Sequence, residues 1–135
     1  MVAPSIPEST EDVLERSTFR RLGPYLWVRA RSVGHAERHL LVTRDDREVT
    51  VITREADLGD LEVESVNPDS WELLSIDCAN PFYCVGFVAR IASALSAAGL
   101  DILFVSTFSR DWVFLKQAEA ARGAEVLTAI GIEER

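Results

Sequence analysis

Between Val85 and Lys116 the hydrophobic period of the chain switches from helical to strand-like across a single glycine, and few folds accommodate that change in so short a span. Val85, Val88, Ala89, Ala92 and Leu95 recur at helical spacing, with Gly86, Arg90, Ser93 and Ala97 as a thinner opposite stripe. The spacing predicts a helix over 85–98, packed on a sheet. Gly99 ends it, because glycine accepts the left-handed conformation at helix C-termini. Ile102 to Thr107 then reads as a β-branched and aromatic strand, Phe108 to Asp111 as a turn, and Trp112 to Leu115 as a returning strand. Preceded by an apolar strand at Glu72 to Asp77, the local order is strand, loop, helix, strand, turn, strand.

Upstream, YLWVRAR (Tyr25 to Arg31) alternates Leu26, Val28 and Ala30 with Tyr25, Trp27, Arg29 and Arg31, the signature of a half-buried strand. His39 to Thr43 and Glu48 to Arg54 form a hairpin around Arg44 to Arg47, whose aspartates suit a tight turn. Laid without gaps, Leu40 to Thr53 over Leu103 to Lys116 matches apolar positions, Thr43 with Ser106, Arg47 with Arg110, and Glu48 with Asp111. This suggests a degenerate duplication whose first copy keeps only Ser32 to Arg38 where the second has a helix. Ala56 to Asp69 reads as a helical turn and then a strand at Leu61 to Val66, and Gln117 to Ile130 as a closing helix despite Gly123. The expected organisation is a flexible tail over 1–17, with a turn of helix at Thr10 to Arg16 capped by Ser9 or Thr10, then a first half over 18–69 and a second over 70–135.

Function classes can be excluded from composition. A chain of 135 residues that is 47% hydrophobic can bury a core, and 14 basic against 22 acidic residues give a net charge of −8. That charge opposes nucleic acid and anionic membrane surfaces. No apolar run has spanning length, and the expected location is cytoplasmic. Cys78 and Cys84 match neither a disulfide framework nor the usual zinc spacings, and both thiols are expected reduced. His35 and His39 have i,i+4 spacing but border a strand, which favours an exposed turn over a metal site. Cys84 lacks an adjacent base, so no nucleophile and base pair can be assembled, and neither catalysis nor a cofactor nor a metal is expected.

Two motifs point to a family. Val85-Gly86-Phe87-Val88-Ala89, followed by Ala98-Gly99-Leu100 and Ser106-Thr107-Phe108-Ser109-Arg110-Asp111, resembles the V/I-G-x-V-A helix start and S-T-F-x-x-D hairpin of small ACT-domain proteins. The branch in question includes bacterial stand-alone ACT proteins and the cytosolic arginine sensors of animals. The resemblance implies an α+β, ferredoxin-like (βαββαβ) fold with two ACT-like halves in one chain, the first with a shortened helix. Both faces of the 102–115 hairpin are apolar and one helix layer covers only one face of a sheet, so the other face needs the first half of the chain, a second copy, or both; the side-by-side or face-to-face association that the resemblance implies fits a homodimer. The implied function is a non-enzymatic regulatory or sensor module that binds an amino acid or similar metabolite at a module interface. The alternative is an interaction module without a ligand.

Carried over position by position, the resemblance implicates Tyr83, Cys84, Val85 and Gly86 on the loop, and Ser106, Thr107, Phe108 and Asp111 on the hairpin. N–H groups near Val85 and Gly86 would hold a carboxylate at the positive end of the helix. Carbonyls at Thr107 and Phe108 would take an ammonium, and Asp111 would pair a cationic end. Where the arginine sensors carry a carboxylate, two residues before the loop glycine, this chain has Cys84. That departure counts against arginine and suits a neutral ligand. Asp111 fits equally well as a residue that closes its own turn.

Overall fold

The computed structural model describes residues 9–135, so the first eight residues of the expected tail lie outside the described residues. The chain divides into two compact units. One combines the residues up to Leu22 with Leu73–Arg135, and the other is Gly23–Glu72, inserted between them in the sequence.

The helical unit opens with α1 (Thr10–Arg16), whose N-cap Ser9 accepts the Asp12 N–H at 3.2 Å. Val13 and Leu14 of this helix are fully buried, which makes it part of the core. Strand β1 (Thr18–Val33) follows, and its residues up to Leu22 belong to this unit. After the insertion come β5 (Trp71–Asp77), α2 (Phe87–Ala97), β6 (Leu103–Ser106), β7 (Arg110–Lys116), a 3₁₀ turn (Gln117–Glu119), α3 (Ala120–Ala129) and β8 (Glu133–Glu134). The strand order is β1-β5-β7-β6, and β8 pairs parallel to the start of β1 through Thr18 opposite Glu133. From β5 onward the element order is β-α-β-β-α-β, the ferredoxin-like arrangement, with the start of β1 beside the first strand of that repeat. The core lies between sheet and helices, with Leu74, Ile76, Val113 and Leu115 on the strands and Ile91, Leu95, Ala124 and Leu127 on the helices. Gly123 lets α3 approach β7, since a Cβ there would sit 2.8 Å from Leu115 Cδ2.

The inserted unit has the same order in reduced form. The rest of β1 is followed by a 3₁₀ turn (Ala36–Arg38), β2 (Leu41–Arg44), β3 (Val49–Thr53), a second 3₁₀ turn (Glu55–Asp60) and β4 (Leu61–Val66). β1 pairs antiparallel with β3 and with β4, and β2 with β3, giving the order β2-β3-β1-β4. In place of the two helices stand short 3₁₀ segments of three and six residues. A buried cluster of this unit is Val28, Ala30, Val49 and Val51, flanked by Leu26, Val33, Leu58 and Leu61, and Tyr25 and Ile52 are buried as well. The chain is therefore α+β with two ferredoxin-like units.

Three local expectations change. Helix α2 starts at Phe87, and Val85 is 93% exposed and Val88 42% exposed, so the buried stripe is Phe87, Ile91 and Leu95. These bulkier side chains at i, i+4 and i+8 claim the core in place of the stripe counted from Val85. His39 is buried rather than part of an exposed turn, and it begins no strand, because β2 starts at Leu41. The gapless overlay of the two hairpins is also one residue out of register. Arg44 faces Val49 across one turn and Ser106 faces Asp111 across the other, each enclosing four residues. In both turns the first N–H donates to the last carbonyl, Asp45 to Glu48 at 3.1 Å and Thr107 to Arg110 at 2.8 Å. Superimposed turns set Arg44, not Thr43, on Ser106, and a one-residue shift exchanges the faces of every side chain.

Candidate functional site

At the edge of the helical unit, the loop from Cys78 to Gly86 meets the β6–β7 turn around a cavity of about 270 Å³. The hairpin side is built by the turn's own hydrogen bonds. Ser106 Oγ donates to Asp111 Oδ1 at 2.7 Å, so the cross-strand pair at the mouth of the turn is also a side-chain pair. Thr107 Oγ1 donates to the Arg110 carbonyl and accepts the Arg110 N–H, both at 3.1 Å. These bonds fix the direction of the Arg110 and Asp111 backbone while leaving Asp111 Oδ2 and the exposed Arg110 guanidinium available. No acid lies within bonding range of that guanidinium among the described residues.

The loop side is held from below by α1. Thr10 Oγ1 donates to the Val85 carbonyl at 2.8 Å, and Arg90 Nε lies 3.3 Å from Glu11 Oε1. Gly86 caps α2 at φ 86°, in the left-handed region that suits glycine, and Phe87 N–H donates to the Cys84 carbonyl at 3.4 Å. Phe82 also stands at φ 75°, where a bulky residue is strained. Its ring, 70% exposed, meets the 80% exposed Phe108 ring edge-on at 5.1 Å, so loop and turn touch through two aromatic rings. Tyr83 stands against Phe82 at 6.4 Å.

Five of the eight residues expected at the site line this cavity: Cys84, Ser106, Thr107, Phe108 and Asp111. Tyr83, Val85 and Gly86 do not, because the chain turns there and the Val85 carbonyl is directed at Thr10. The lining also includes Cys78, Asn80, Phe82, Phe87, Val88 and Arg110. Arg110 lies inside the S-T-F-x-x-D motif as one of its unspecified positions. Asn80 and Cys78 gave no sequence signal, because only the fold shows that the exit of β5 forms the cavity wall. Burial pushes the Cys78 thiol up to about 11, and the nearby Asp111 charge adds to that shift, so the group is a neutral thiol and a poor nucleophile near neutral pH. Both cysteines are free. Among the described residues, no group of three or more His, Cys, Asp or Glu could hold a metal ion, and no helix is long and apolar enough to cross a membrane.

The helix and hairpin that carry the two motifs belong to one β-α-β-β-α-β unit, a ferredoxin-like module with a cavity where the first loop meets the hairpin turn. Residues 66–129 match the model of the ACT domain family. Solved structures share the fold. An Agrobacterium tumefaciens protein superimposes with a TM-score of 0.70 at 24% identity, over 88% of this chain and 92% of its own. A Vibrio cholerae protein of unknown function, described as a possible transport protein, gives a TM-score of 0.68 at 15% identity over 90% and 94%. The ligand-free regulatory subunit of aspartate kinase from Thermus thermophilus gives 0.61 at 12% identity over 83% and 95%. No curated protein sequence matches the chain.

Proposed function

We propose that this chain is a non-enzymatic regulatory or sensor module that binds an amino acid or similar small metabolite in the cavity between the 80–86 loop and the β6–β7 turn. One observation carries the reading: a cavity of about 270 Å³ with aromatic walls and two opposite charges, Arg110 and Asp111, at one mouth. Opposite charges on adjacent residues suit a zwitterion, whose carboxylate and ammonium are also close together. The volume falls just below the roughly 300–1,000 Å³ usual for drug-sized ligands, which fits an amino acid better than a dinucleotide. The fold shared with the aspartate kinase regulatory subunit supports a regulatory role. A cytoplasmic homodimer completes the proposal, with half-buried Leu103, Val105 and Trp112 available on the hairpin. Ligand would act by changing how modules associate, through differential affinity for the two states.

Thermal unfolding with each of the twenty amino acids at millimolar concentration tests this. A ligand present at a hundred times its Kd adds about 2.7 kcal/mol of stability. A selective shift that Asp111→Ala removes, with the unliganded Tm kept, is the expected result. The competing reading, an interaction module without a ligand, is favoured by the exposed Phe82, Val85 and Phe108 around the same cavity. It predicts no shift with any compound.

A further inference from the structure

The polar groups of the cavity are not equivalent. The Ser106 hydroxyl is bound to Asp111, and the Thr107 hydroxyl to the Arg110 backbone. Arg110 is exposed and can be solvated at the rim. Asn80 differs from all of these. It lines the cavity, is only 4% exposed, and its side-chain Nδ2 is buried with no hydrogen-bond partner among the described residues. The main chain just before it is pinned, since the Ala79 N–H donates to Ser17 Oγ at 3.0 Å and Ser17 Oγ donates to the Val13 carbonyl at 2.6 Å. A buried amide donor without an acceptor is unfavourable, and native structures rarely tolerate one without a use.

We propose that Asn80 selects the ligand by donating from Nδ2 to an uncharged oxygen at the inner end of a small zwitterion, whose charged head stays at the rim with Arg110 and Asp111. This rests on the amino-acid reading of the cavity. It narrows the ligand class to α-amino acids whose side chain carries a carbonyl or hydroxyl oxygen. A guanidinium or ammonium tail would set donors against a donor, and a hydrocarbon tail would leave the amide unpaired. The Phe82, Phe87 and Phe108 walls reduce competition from water, so that one hydrogen bond discriminates.

The test uses isosteric pairs measured by calorimetry on the full chain: asparagine against leucine, and threonine against valine. The oxygen-bearing member of at least one pair should bind about tenfold or more tighter, the scale of one buried hydrogen bond left unmade. Asn80→Leu should bring the members of each pair to within about threefold, while the unliganded Tm stays equal or rises because the orphan donor is gone. Should that variant fail to fold, Asn80→Asp places an acceptor where the donor stood and must weaken the oxygen-bearing ligand by about tenfold. Hydrocarbon members binding as tightly as their isosteres, or a preference that survives both Asn80 variants, would overturn the role of Asn80 and leave the cavity as an amino-acid site. An absence of binding by all twenty amino acids would overturn both readings.

Discussion

The two units share an element order but solve the problem of covering a sheet in different ways. In the helical unit, α2 and α3 bring Ile91, Leu95, Ala124 and Leu127 against the strands, and the crossovers are held by apolar contact. In the inserted unit, short 3₁₀ segments offer little apolar area beyond Leu58, and polar bonds that converge on one carboxylate also hold the crossovers. Asp60, at the end of the second turn, accepts from the His35 N–H at 2.7 Å and lies 2.8 Å from both His35 Nδ1 and His39 Nε2. His39 Nδ1 is 2.7 Å from Thr53 Oγ1 on β3, which ties the first turn to the sheet. A module that loses its helices loses both its non-directional glue and the long loop that walls a cavity. What remains needs exact geometry.

The comparison can be broken most severely in the helical core. Ile91→Ala should lose about 2–5 kcal/mol by chemical denaturation, because the fully buried site cannot collapse completely. Gly123→Ala, which drives a Cβ to 2.8 Å from the Cδ2 of Leu115, should lose up to about 2 kcal/mol net, overpacking of about 1–3 kcal/mol offset by about 1 kcal/mol of helix propensity. In the inserted unit, His39→Leu should lose about 1–3 kcal/mol, since Thr53 and Asp60 keep their need for a partner.

The pH response sharpens the contrast. Hydrogen bonds from His35, then burial opposed by the His39 bond, leave the Asp60 carboxyl far below its ordinary value of 3.8. A folded-state value below the unfolded one gives stability that is complete above about pH 4 and lost as the pH falls further. The gap between wild type and Asp60→Asn in equilibrium unfolding should therefore narrow steadily as the pH falls from about 4 to 2, and a constant gap would remove Asp60 from the account. The smallest effect is expected at the surface. Arg31→Ala removes exposed ion pairs with Glu62 and Glu64 and should change stability by no more than about 0.5 kcal/mol.

Much of this was legible locally. The strand through Tyr25 to Arg31, the strand at Leu61 to Val66 and the closing helix follow from residues near one another in sequence and appear where patterning puts them, while both tight turns fall one residue from their expected places. What patterning missed is long-range. Val13 and Leu14 read as part of a polar tail because their partners in the core lie beyond residue 73. The α2 stripe was misjudged because Val85 continues the pattern one turn too far, and nothing local says that the helix begins at Phe87. The hairpin overlay was pulled out of register by arginines and acids that align in sequence but not in the turns. At the site, the hairpin residues were legible from a motif, whereas Asn80 required knowing where β5 ends.

The insertion of residues 23–72 within the other unit has a consequence for synthesis. The helix at Thr10–Arg16 and the start of β1 leave the ribosome before the inserted unit, yet the strands and helices that bury them are made after it. At about 5–20 residues per second, Val13, Leu14 and Phe19 wait on the order of seconds with their apolar surface uncovered. The inserted unit can close around its own hairpin meanwhile, and its completion shortens the effective loop that the outer unit must still close. The order of emergence and the order of burial are thus opposed, and the later-made segment decides when the earlier becomes safe from aggregation.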